Sequence, residues 1–249
     1  MEKTITMTLR SLEARGFKGF YAKDREEAKV KILSLIPQGV VVGIGDSTTI
    51  RQIGIIDELK RKGFKVLDGF YRGISWEIHD ELVRESMLCD VFLTGTNAVT
   101  LDGRLVNVDG VGNRVAGMFY GHPISIVAVG RNKLVENLDK AFHRIRSLIA
   151  PNHIRIRSTE LGGRMFKTPC TTTGICNDCR SKDRACNVFT IIEGKPMRTN
   201  INVVIINEDL GLAWDDSWPK ERVSRIIEEY KRYVWIPPQT DKSLFCVEG

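Results

Sequence analysis

VVGIGDSTTIRQIG (residues 41–54) decides the reading of this chain. With Val40 it opens on a continuous apolar run, VVVGIG (40–45), rich in β-branched residues. Such a run suits a strand buried on both faces. A Gly-x-Gly turn follows, then hydroxyl residues, then a helical stretch over about 48–62 that Gly63 closes. The first N–H groups of a helix have no internal partner, and the helix dipole favours negative charge beside them. Gly43 and Gly45 let the backbone come close to a ligand. Ser47, Thr48 and Thr49 can donate to phosphate or carboxylate oxygens, and Arg51 adds charge. The stretch reads as an anion site, although Asp46 and Ser47 as helix caps and the glycines as turn residues would explain part of it. The Gly-Lys-Ser/Thr ending of a P-loop is absent, and no third glycine completes a dinucleotide fingerprint.

Working outward, Asp24 can cap a helix carrying Ala28, Ile32, Leu35 and Ile36 on one face, ended by Pro37 and Gly39. FKVLD (64–68) reads as a strand, 75–88 as a helix, DVFLTG (90–95) and ISIVAVG (124–130) as strands. This alternation implies an α/β fold with a mostly parallel sheet flanked by helices and right-handed crossovers. Leu134, Leu138, Ala141, Phe142, Ile145, Leu148 and Ile149 fall at helical spacing, and Pro151 is expected to stop that helix. A cysteine-bearing loop over 162–187 follows, then VFTIIE (188–193) and NINVVIINE (200–208), which read as a hairpin or two adjacent strands. Residues 1–212 read as one α/β domain that includes the cysteine loop, and 213–249 as a helical tail. The tail carries Trp214, Trp218 and Trp235 and a helix at 217–233, and it packs on the core or on a second copy, making a homo-oligomer an open expectation.

LTGTNAVTLDGRLVNVDGVGNRVAG (93–117) repeats the strand-end logic. Gly95, Thr96 and Asn97 end a strand, where open α/β sheets place their ligands. Asp102-Gly103 is a hairpin turn. Asp109, Gly110, Gly112, Asn113 and Arg114 then open another helix, and with Asn107 they suggest a lined pocket.

Composition narrows the function classes. At 249 residues, 42% hydrophobic and 27% charged, the chain buries a core without staples, so its six cysteines are not needed for that. No apolar run has signal-peptide or membrane-spanning length, so a cytoplasmic protein without membrane contact is expected. The net charge of +6 is dispersed and mixed with acids, as in KERVSRIIEEYKRY (220–233), and forms no basic stripe with interleaved aromatics. Nucleic acid is therefore not an expected partner; a small anionic metabolite, carboxylate or phosphate, is.

Cys170, Cys176, Cys179 and Cys186 are spaced C-x5-C-x2-C-x6-C. The Cys176–Cys179 pair can reach one metal from one turn, and the outer two complete four thiolate ligands. That set suits tetrahedral zinc or an iron–sulfur cluster, whereas disulfides are disfavoured in a reducing compartment. Cys89 reads as core, Cys246 as a lone thiol, and the four histidines as surface or satisfied core residues.

The succession GIGDSTTIRQIG, DVFLTGTNAVTLDGRLVNVDGVGNRVAGMFYG, ISIVAVGRNKLV, TPCTTTGICNDCRSKDRACN and VVIINEDLG resembles the lactate-utilization (LUD) domain family over about residues 20–212. The resemblance implies the fold of the sugar-phosphate isomerase and CoA-transferase group. It also implies a role in lactate or related organic-acid oxidation beside redox partner subunits, and it favours an iron–sulfur cluster of the 4Fe–4S type on the four cysteines over zinc. Two alternatives stay open: an isomerase or CoA-transferase-like enzyme with structural zinc, and a non-catalytic regulatory subunit. Within the wider group, GIGDSTT resembles the phosphate loop of ribose-5-phosphate isomerase. The 95–117 segment resembles methylthioribose-1-phosphate isomerase, which has a catalytic aspartate where this chain has Asn97. An amide cannot serve as a general base.

Overall fold

The computed structural model describes residues 1–163 and 166–239. In chain order the strands are β1 Lys18–Ala22, β2 Val41–Ile44, β3 Lys65–Leu67, β4 Val91–Gly95, β5 Ala98–Thr100, β6 Leu105–Asp109, β7 Ile124–Gly130, β8 Leu134–Val135, β9 Val188–Ile192 and β10 Asn200–Ile206. Six of them form one sheet, in the order β1-β10-β7-β4-β2-β3, parallel throughout. The others form a second sheet, β8-β5-β6-β9.

The unbroken apolar runs are explained by burial on both sides. Along β7, Ile126 and Ala128 pack with the helices Arg25–Ser34, Thr48–Ile53 and Ile55–Arg61, while Val127 and Val129 face the opposite way. Along β10, Val204 and Ile206 take the first face and Val203 and Ile205 the second. The second face is covered by Ile5 and Leu12 of helix Glu2–Ala14, by Met118, and by Val99 and Leu105 of the small sheet. Period-two alternation with both sets apolar is what a doubly covered parallel sheet requires. Because every strand of the large sheet runs the same way, the loops after β2, β4, β7 and β10 emerge along one edge.

Asp24 caps its helix by accepting from Glu27 N–H at 2.8 Å. Several expectations are corrected. The stretch 48–62 is two helices, broken where Gly54 takes φ +70°. Strand β1, unread in the sequence, forms one edge of the large sheet, and helix Glu2–Ala14, also unread, covers its second face. Pro151 does not stop its helix: it sits at the first turn of Ala150–Arg155, after a π-helical segment Ile145–Ile149, and helical backbone continues to Glu160. The wider π turn re-registers the ladder at the residue that lacks an N–H. The runs near 190 and 203 do not pair with each other. β9 lies antiparallel to β6 in the small sheet, whereas β10 lies between β1 and β7. In the tail, helix Lys220–Tyr233 packs Ile226 and Tyr230, with Val234 just past its end, against Ile149, Ile156 and Leu212. Cys246 lies outside the described residues.

Candidate functional site

A cleft of about 780 Å³ opens where the large sheet's strands end. Asp46, Ser47 and Thr48 reach it from the end of β2, and Gly95, Thr96 and Asn97 from the end of β4. Asp109, Gly110, Asn113 and Arg114 come from the end of β6, Lys133 from beyond β7, and Gly211 from beyond β10. Cys170, Cys176, Cys179 and Cys186 line the same cleft. Residues as far apart in the chain as Asp46 and Gly211 thus meet at one opening because parallel strands deliver their C-terminal loops to one edge.

The glycines of the β2 turn have a packing role. A β-carbon on Gly43 would stand 2.7 Å from Cys89 Sγ and 2.9 Å from the Ser86 carbonyl, so helix Trp76–Ser86 can lie close only on a bare backbone. One on Gly95 would stand 2.5 Å from Ser47 Oγ, so the β2 and β4 loops can touch. Gly45 packs similarly against Thr94 and Phe92, and neither Gly43 nor Gly45 lines the cleft. Ser47 Oγ, rather than Asp46, accepts from the Ile50 N–H, at 3.4 Å. Thr49 is buried and its hydroxyl accepts from Lys133 Nζ at 2.9 Å. Arg51 points away from the cleft and holds Asp68 at 2.8 Å in a separate depression.

The polar residues of the 95–117 segment largely bind one another. Arg114, buried, donates to the Gly95 carbonyl at 3.1 Å, Asn107 Oδ1 at 2.9 Å, Asn97 Oδ1 at 2.9 Å and the Val108 carbonyl at 2.7 Å. Asn97 Oδ1 also accepts from Val108 N–H at 3.0 Å, and Asn107 Oδ1 from the Thr96 hydroxyl at 2.9 Å. Asp109 accepts from Gly110 and Val115 N–H groups and stands 3.8 Å from Arg114. Gly112, at φ +100°, starts helix Asn113–Phe119. The network fixes the Arg114 charge at the cleft floor.

The cleft also contains cations and rings that the sequence did not single out. Lys133 is 7% exposed, and burial followed by the Arg114 charge lowers its amine to about 7. Arg157, 6% exposed, donates to His153 Nε2 at 2.7 Å, lies 3.7 Å from Asp46 and stacks 4.9 Å over the Trp235 ring. A nitrogen that accepts from a guanidinium carries no proton, so His153 Nδ1 holds the hydrogen and donates to Tyr230 Oη. Burial, then the charges of Arg157 and Arg114, keep that imidazole neutral. Arg157 Nε and Trp235 Nε1 are buried donors without a partner among the described residues. Lys133 follows β7 directly, and the strand-end rule would have flagged it. His153 and Arg157 were hidden by the assumption that Pro151 ended their helix. His122 precedes β7 and lies at the other edge, stacked on Phe92 with Nε2 on the Gly117 carbonyl at 2.5 Å, a satisfied core histidine.

The four clustered cysteines are free, partly exposed thiols. Burial raises the Cys170 thiol, and Cys179, Cys186 and Cys176 raise it further, as mutually repelling thiolates on one loop would. Hydrogen bonds from Ser181, backbone before side chain, lower Cys179, with the Arg184 charge contributing less. Arg184 donates to the Cys179 carbonyl at 2.7 Å and to Cys186 Sγ at 3.5 Å. Four soft thiolate donors beside a guanidinium suit zinc or an iron–sulfur cluster in donor chemistry. Among the described residues, no three His, Cys, Asp or Glu side chains stand in metal-holding arrangement. Cys89 is buried and raised to about 11, chiefly by burial, as a core thiol should be. Among the described residues, no helix is long and apolar enough to cross a membrane.

Comparison with known proteins gives one firm result. No curated protein matches the chain. Solved structures that are similar in part include the following two. One is a DUF162 family protein from Deinococcus radiodurans, 13% identical, with a TM-score of 0.46 over 82% of this chain and 97% of that one. The other is ribose 5-phosphate isomerase A from Neisseria gonorrhoeae, 19% identical, with a TM-score of 0.32 over 46% of this chain and 54% of that one. The sequence pattern of the LUD domain matches residues 5–206, most of the 249, and the chain therefore belongs to the LUD domain family.

Proposed function

We propose that this LUD-family protein binds a small anionic metabolite, a carboxylate or phosphate, in the strand-end cleft beside an iron–sulfur cluster held by Cys170, Cys176, Cys179 and Cys186, and acts in organic-acid oxidation with a redox partner subunit. One observation carries the reading: a single cleft is lined by Ser47, Thr48, Lys133 and Arg157 and also by all four cysteines. The guanidiniums of Arg114 and Arg157 are buried side chains that line the cleft, and they favour an anionic ligand there. Ser47 and Thr48 hydroxyls and the Arg157 guanidinium, all from residues that line the cleft, supply donors for its oxygens. A bound cluster supplies one-electron transfer; Arg184 offsets the thiolate charge that holding it requires.

Anaerobic purification is the test. A brown protein containing iron and acid-labile sulfide, both lost in Cys176→Ser, is expected. A colourless protein with one zinc per chain would overturn the cluster. Thermal-shift assays with lactate, pyruvate and phosphate test the other half: stabilisation that Ser47→Ala weakens supports the anion site, and no stabilisation by any of the three contradicts it.

A further inference from the structure

We propose that Lys133 is a nucleophilic amine that captures the carbonyl of a small oxo acid in the strand-end cleft as an imine. The inference rests on the reading of that cleft as the ligand site and adds a residue and a substrate class. Lys133 lines the cleft and is 7% exposed. Its one hydrogen bond among the described residues goes to the Thr49 hydroxyl, at 2.9 Å, and no carboxylate among them pairs with it. The charged group that faces it is Arg114, a cation. Gly211 makes the placement possible: a β-carbon there would stand 2.9 Å from Lys133 Nζ and 2.7 Å from Thr49 Oγ1. A lysine that served only as a structural cation would be matched with an acid, and one that served only as apolar filler would not reach a cleft. A desolvated amine beside a second cation stays partly unprotonated near neutral pH, the condition under which lysine attacks carbonyls.

The ligand class follows from what surrounds the amine. The guanidiniums of Arg157 and Arg114 line the same cleft and offer cationic donors to a carboxylate. A ligand that satisfies these donors and the amine carries a carboxylate and an aldehyde or ketone on a short skeleton. In the step, the Lys133 nitrogen lone pair attacks the carbonyl carbon and the carbonyl π pair moves to oxygen, which takes up a proton. That proton comes from the attacking nitrogen, which then gives its second proton to the hydroxyl as the C–O bond breaks; water leaves and a C=N imine remains. No oxidant or reductant is consumed.

The anaerobically purified full chain is incubated with pyruvate or glyoxylate and cyanoborohydride, then mapped by peptide mass spectrometry. One reduced adduct confined to Lys133, absent from Lys133→Arg and suppressed by phosphate, is expected. Adducts scattered over surface lysines, or none on Lys133 with either acid, overturn the proposal. Carbamoylation by cyanate reads the amine without any carbonyl ligand: Lys133 should react at least about tenfold faster than the average lysine at neutral pH. Ordinary cyanate reactivity overturns the proposal whatever the trapping shows. Phosphate stabilisation that persists without an adduct means the lysine assignment alone has failed; selective carbamoylation without any anion binding means the ligand reading has failed instead.

Discussion

Lys133 opposes the fold that contains it. Its amine sits near 7 in the folded chain against the ordinary 10.5, so the unfolded chain binds the extra proton between those values. Stability then rises as pH climbs from about 7 to 10.5; the penalty is full below pH 7 and gone above 10.5. Lys133→Met should therefore be more stable than the wild type by a few kcal/mol at pH 6.5, with the gap closing toward pH 10.5 in urea titrations. An equal gap at both ends would show that the lysine is not buried as described. Gly95→Ala tests close approach: with Ser47 Oγ 2.5 Å away, it should cost about 1–3 kcal/mol in the same titrations. The residue scale also shows where sequence reading stops. Asn97, Asn107 and Arg114 were legible as a polar cluster at a strand end, and the structure brings them together. Composition cannot tell whether polar groups are satisfied by a ligand or by one another, and here they mostly satisfy one another.

Elements whose periodicity was uninterrupted were legible, and those shaped by one residue's exception were not. VVVGIG and ISIVAVG read as buried strands because they are apolar and β-branched almost throughout, Ser125 being the one polar residue, and β2 and β7 lie there. The break at Gly54 depends on a backbone state that a helical pattern conceals. Gly54→Ala should cost about 1 kcal/mol, because φ +70° penalises a β-carbon while the nearest neighbour, Lys29 Cε, is 3.8 Å away. No loss on denaturation would mean the two helices form one. The passage of the helix through Pro151 was likewise invisible, since a π segment has no composition signature. It carries His153 to Tyr230 of helix Lys220–Tyr233. Tyr230→Phe removes the acceptor of the His153 Nδ1 hydrogen and should cost about 1–3 kcal/mol by thermal unfolding; a neutral outcome would show that contact to be incidental.

For the whole molecule, parallel topology converts separate loops into one site. The sequence displayed glycine-rich strand ends and a cysteine loop as distinct features, and nothing in either stretch indicates that they meet. Their meeting depends on β10 entering the large sheet beside β7 while β9 leaves for the small one, a choice made by long-range packing that local pattern does not encode. The account's central claim is that anion and cluster share this opening. Crystals grown anaerobically with lactate, measured at the iron absorption edge, test it directly. The account predicts an iron peak among Cys170, Cys176, Cys179 and Cys186 and lactate density between Ser47 and Arg157 in the same cleft. Zinc or disulfides in place of iron, or lactate bound anywhere else, would contradict it.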